Sequence, residues 1–108
     1  MSPVGLIDPL SLIGPARTIA LNVTRDNQIF LSPEALGAVD ILVEERLPHL
    51  SQRFTEGTLD STQWERIVRL LANNVVADYR AEGVRSINDP DELLWRVRPM
   101  LSVYPFDC

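Results

Sequence analysis

The chain is 108 residues long, and its ten basic residues, all arginine, face fifteen acidic ones for a net charge of −5. A chain of this length builds a single modest core, and an apolar share of 45% argues against disorder over the whole length. Without lysine there is no Schiff-base or P-loop chemistry, and without a basic tail the chain is a poor stand-alone binder of nucleic acid.

The all-arginine basic set is the codon signature of a GC-rich genome. The acidic excess lies in residues 32–60 and 89–108, whereas residues 61–88 are slightly basic. An acidic balance suits a surface that DNA must pass without sticking.

Residues 1–17 read as an irregular apolar arm. Pro3, Pro9 and Pro15 punctuate it, leaving room for one helical turn after Asp8-Pro9. It has no basic n-region, and the chain has no 18-residue apolar run, so neither a signal peptide nor a membrane span is expected. The following stretch, TIALNVTRDNQIFLS, is rich in β-formers over Thr18–Val23. It turns at Arg25-Asp26-Asn27 and resumes apolar over Gln28–Leu31, which predicts a β-hairpin or two extended segments.

A helix is predicted to start at Ser32, with Pro33 at the first position and Glu34 at the positive end of the dipole. Ala35, Ala38, Val39, Leu42 and Val43 recur at helical spacing, and Pro48 is expected to end or kink the helix near Arg46. A short helical piece then carries Leu47, Leu50 and Phe54 into a loop at Thr55-Glu56-Gly57-Thr58. Asp60 and Gln63 form a variant capping box at the head of a long helix over 61–82. Trp64, Ile67, Val68, Leu71, Val75 and Tyr79 make its apolar face, and Gly83 is its C-cap. Leu70 and Val76 widen that face beyond what one neighbour needs, so the helix is covered on two sides, by its own chain or by another copy. A last helix is predicted from Asn88-Asp89-Pro90 to just before Pro99, followed by an extended apolar tail, MLSVYPFDC.

The expected architecture is therefore mainly α: a small helical bundle with a long central helix. It forms one domain over 1–108, with an arm and possible hairpin over 1–31, a helical core over 32–98 and a docking tail over 99–108. His49 and Cys108 are the only histidine and cysteine, and no catalytic, metal-ligating or cofactor-binding constellation is expected from them.

Three groups stand out as contact surfaces. Trp95, Arg96, Arg98, Tyr104 and Phe106 combine the residue types of interface anchors, and the tail docks either on its own core or on a partner. Arg66, Arg69, Asn73 and Arg80 form a stripe whose charge complements Asp40 and Glu44, as a head-to-tail contact between copies requires. Asp78, read as close to the apolar face, calls for a structural ion pair with Arg46.

The central stretch ERLPHLSQRFTEGTLD, then a long helix, then YRAEGVRS, resembles the head-to-tail adaptor (connector) proteins of tailed phages, especially those of actinobacteria. Arg46, Pro48, Leu50, Arg53, Gly57, Thr58, Gly83, Arg85 and Ser86 carry the resemblance, which covers about 45 residues. The helix ends on Tyr79-Arg80-Ala81-Glu82-Gly83 where that family has an arginine-asparagine-proline turn. The resemblance implies a helical protomer of a ring, typically of twelve copies, below the portal protein. The ring joins a stopper or tail-completion protein, and genomic DNA passes through it without sequence-specific binding. It implies a virion protein that is not an enzyme and has neither cofactor nor membrane contact. The other reading of the same residues is a small intracellular helical regulatory or protein-interaction module.

Overall fold

Helix starts in this chain use a short acceptor side chain just ahead of the first turn. Asp8 accepts from the Leu10 amide (3.1 Å), Ser32 from Ala35 (3.1 Å), Asp60 from Gln63 (2.8 Å) and Asp89 from Asp91 (2.9 Å). At Asp60 the capping box closes, because Gln63 Oε1 accepts in return from the Asp60 amide at 3.0 Å. The computed structural model describes residues 8–101. Its elements run α1 (Pro9–Asp26), β1 (Phe30–Leu31), α2 (Pro33–Glu56), α3 (Ser61–Ala81), β2 (Ser86–Ile87) and α4 (Pro90–Leu101).

The protein is mainly α, as expected, and the long helix α3 lies within one residue of its predicted span. The N-terminal reading is corrected. Residues 9–26 are a helix instead of an arm and hairpin, and Thr18–Val23 lie in its middle. Leu12, Ile13, Ala16, Ile19 and Val23 are buried along one face of α1, so tertiary burial overrides the β-propensity of Ile19 and Val23. The strand signal at Phe30-Leu31 survives, but its partner is Ser86-Ile87 in parallel and not the preceding segment.

Proline is the second correction. Pro15, Pro48 and Pro99 all lie inside helices, so neither Pro48 nor Pro99 ends one. Each removes the amide that would bond the carbonyl four residues back. Those carbonyls belong to Ser11, Glu44 and Trp95, all exposed positions, so water can take the place of the missing donor.

Three helices end in the same hydrogen-bonded motif. Ile29 and Gln28 bond back to Thr24 and Arg25, Thr58 and Gly57 to Arg53 and Phe54, and Val84 and Gly83 to Tyr79 and Arg80. The motif needs a left-handed residue, which is Gly57 (φ 78°), Gly83 (φ 75°) and, after α1, Gln28 (φ 63°).

The packing order follows from long-range pairs. Trp64 Nε1 donates to the Leu12 carbonyl (3.0 Å) at one end and Arg80 to Asn27 Oδ1 (3.0 Å) at the other, so α1 and α3 run parallel, side by side. Arg17 pairs with Asp40 at 2.7 Å, which sets α2 antiparallel to α1. The parallel β1–β2 pair leads into α2 and α4 side by side, and Arg98 reaches Glu45, so α4 runs along α2 in the same direction. Extensive contacts join α1 to α3, α1 to α2 and α2 to α4, with fewer between α3 and α4; α2 and α3 meet only sparsely. They are the diagonal pair of a four-helix bundle, with α4 lying in the trough between them opposite α1. Helix α3 is thus covered on two sides by its own chain. Val76 is buried as expected, while Leu70 stays 45% exposed.

Candidate functional site

The most organised polar cluster joins the end of α3 to α4. Tyr79 is fully buried and donates its hydroxyl to Glu92 Oε1 at 3.1 Å. The guanidinium of Arg96 lies over the Tyr79 ring, 4.1 Å from its centre. Arg96 also donates to both oxygens of Glu82, at 2.8 and 2.6 Å, in a bidentate pair. Burial, then the bond to Glu92, pushes the Tyr79 phenol up to about 12. Hydrogen bonding to Arg96 holds Glu82 below the ordinary carboxylate range, and the same pair raises Arg96. Arg96 and Glu82 neutralise each other, Glu92 accepts from Tyr79, and Arg96 Nε is buried without a hydrogen-bond partner, so the cluster works as a clasp holding α4 on α3.

This clasp divides the residues expected to anchor a partner. Arg96 serves it, and Arg98 is paired with Glu45. Trp95 stands 72% exposed, beside a shallow open depression bordered by Asp91, Leu94, Arg98 and Pro99. Tyr104 and Phe106 lie outside the described residues. The sequence reading missed the clasp, although Glu92 and Arg96 show the Glu-to-Arg i,i+4 spacing and Glu82 follows Tyr79 by three.

The α3 stripe is placed as expected. Arg66, Arg69, Asn73 and Arg80 are all exposed, and Arg80 is tied to Asn27. Of its two expected complements, Glu44 is exposed, but Asp40 is engaged by Arg17 of its own chain through two 2.7 Å bonds. Asp78 is corrected outright: it is exposed, so the desolvation that demanded a buried partner is absent. The ion pairs of the described residues do not include Asp78 with Arg46.

An apolar cavity of about 110 Å³ lies at the centre of the bundle. All four helices line it, with Trp64, Leu71 and Val75 on α3 and Leu101 at the end of α4. Thr24, its one hydroxyl-bearing wall residue, bonds back to the Ala20 carbonyl at 2.8 Å, so the lining offers a ligand nothing polar. Farther along α2, the Nε2 atom of His49 is buried without a hydrogen-bond partner.

Among the described residues no group of three or more His, Cys, Asp or Glu side chains gathers as a metal site. No helix among them is long and apolar enough to cross a membrane. Compared with protein-family models, with curated proteins and with solved structures, the chain matches none.

Proposed function

We propose that the protein is a structural component of a virion: a head-to-tail adaptor that forms a ring below the portal, extends the DNA channel and joins capsid to tail. The observation that carries this reading is the placement of two exposed faces of opposite sign. The Arg66–Arg69–Asn73 face belongs to α3 and Glu44 to α2, the diagonal pair of the bundle, so the two faces look in opposite directions. A face meeting its complement on the next copy builds a heterologous contact, which closes into a ring when the rotation between copies closes. With Asp40 held by Arg17, the acidic side of that contact centres on Glu44.

The residues of the adaptor resemblance also fall where they set backbone geometry. Gly57 and Gly83 supply the left-handed caps at either side of the long helix, and Ser86 opens β2. In this reading Trp95 and the segment from 102 onward serve the portal, and the ring acts mechanically, with no chemical step.

Native mass spectrometry of the protein, alone and with the portal protein of the same genome, tests the proposal. A ring, or a complex near one copy per portal subunit, is the expected result, weakened by Arg66→Glu with Arg69→Glu. A monomer that ignores the portal in every state of assembly overturns it and favours a regulatory interaction module.

A further inference from the structure

The outer faces of α2 and α3 share one plan. On α3, Leu70 is the large apolar side chain left exposed, at 45%, and Arg66, Arg69 and Asn73 stand within one turn of it along the helix. On α2, Ile41 holds that place at 40%, with Glu44 three residues on and Glu34 two turns back. An apolar centre inside a charged rim is the anatomy of a contact surface, and these two rims carry opposite charge. No ion pair among the described residues engages Glu34, Glu44, Arg66 or Arg69.

Gly37, one turn before Ile41 on the same side of α2, adds a notch. Its backbone is ordinary helix, and a Cβ there would meet nothing within 4 Å. The packing of α2 inside its own chain therefore does not ask for glycine, at a helix-interior position where alanine is more stable. Close approach by a second helix from outside does.

The two centres also stand at one level. Trp64 of α3 reaches Leu12 of α1, and Arg80 reaches Asn27. Leu70 lies six residues after Trp64 and ten before Arg80, which sets it beside Arg17 and Thr18 of α1. Arg17 is bonded to Asp40, the neighbour of Ile41. Leu70 and Ile41 are thus at about the same height on opposite sides of the bundle. A contact that joins them needs no rise from copy to copy. Successive copies then stay in one plane, the condition for a ring instead of a helical filament.

Helix α2 runs antiparallel to α3, so copies turned about an axis parallel to the helices bring α3 of one against α2 of the next in antiparallel alignment. Arg66, one turn before Leu70, then meets Glu44, just beyond Ile41, while Asn73 meets the notch at Gly37. A parallel alignment would set Arg66 at Gly37 and leave Glu44 facing Asn73.

We propose that a second copy of this chain docks here, with Leu70 of one copy seated between Gly37 and Ile41 of the next and Arg66 facing Glu44. The inference rests on the two faces of the adaptor reading and adds their apolar centre, its register and the planarity of the assembly.

Cysteine pairing reads the contact directly. In a Cys108→Ser chain, Leu70→Cys with Ile41→Cys should give a ladder of disulfide-linked multimers under mild oxidation. The two positions lie on opposite sides of one bundle and cannot bridge within it. Each single variant should stay unlinked, and an equimolar mixture of the two should stop at dimers. Absence of the ladder overturns the proposal. A dimer of the Leu70→Cys variant alone overturns it too, in favour of a two-fold contact. Gly37→Ala should raise the thermal midpoint in circular dichroism yet weaken self-association several-fold in sedimentation. Association that is unchanged or stronger in that variant overturns the docking. The two readings fail separately. Native rings without the Leu70–Ile41 ladder keep the adaptor and remove this contact, and a ladder from a chain that never binds the portal keeps the contact and removes the adaptor.

Discussion

Helices α1 and α3 run parallel, side by side, and share the core almost equally, yet their sequences announce them very differently. Helix α3 begins at a reciprocal capping box, keeps one apolar face from Trp64 to Tyr79 and stops at a glycine. Helix α1 has prolines at its first and seventh positions, β-branched residues through its middle and a glutamine in the left-handed position at its end. Both end in the same hydrogen-bond motif. The comparison teaches that capping and periodicity identify a helix when they agree, and that residue preference misleads when burial outweighs it.

The most severe test of this equivalence is deletion of residues 9–26. If α1 is half of the core, the remaining chain loses its cooperative thermal transition in circular dichroism; a surface arm would leave the melt unchanged. A gentler test compares Leu12→Ala with Leu71→Ala. Both side chains are buried, so each should lose about 2–5 kcal/mol in denaturant unfolding. A loss under about 1 kcal/mol for Leu12 alone would break the comparison.

The clasp at the far end of α3 has its own signature. Tyr79→Phe removes the hydroxyl bonded to Glu92 and should cost about 1.5–3 kcal/mol, the range for a hydrogen bond to a charged group. Its folded-state pKa of about 12 lies above the ordinary 10, so the folded state favours the protonated phenol. That stabilisation is complete below pH 10 and is lost as pH rises through about 12. In the Phe variant this alkaline loss of stability should disappear, which stability measurements at pH 9, 10.5 and 12 would show.

Helix ends give the next smaller effects. Gly57→Ala and Gly83→Ala each place a Cβ in the left-handed region and should cost about 1 kcal/mol, whereas Gln28→Gly should gain a similar amount. Equal stability of Gln28→Gly and the parent would mean that the α1 cap is unstrained. The smallest effect is expected for Glu82→Gln. The lowered pKa of Glu82 adds stability above the ordinary carboxylate pKa that is lost as pH falls through the folded value, so the variant should flatten only part of the acid limb.

For the contact surfaces, exposure was legible and partnership was not. Periodicity placed Arg66, Arg69 and Asn73 on the outer face of α3, where they are. It placed Asp78 near the apolar face, but Asp78 sits one position before Tyr79, and that step turns it out to solvent. Asp40 and Arg98 were assigned to partners, yet each finds its counterion within the chain, at Arg17 and Glu45. Those counterions lie 23 and 53 residues away, beyond the reach of any local pattern.

By itself the sequence determined the helical class, the boundaries of α3, the start of α2 and the glycines that end both, because each is decided within one or two turns of chain. Tertiary structure decided that Thr18–Val23 is helix, that Pro48 and Pro99 are bridged, and that the segment at Phe30 pairs with Ser86. In each case the local preference is weak, a few kcal/mol at most. Burying a helix face, or closing a bundle around Trp64 and Tyr79, is worth more than that and depends on residues far away in the chain.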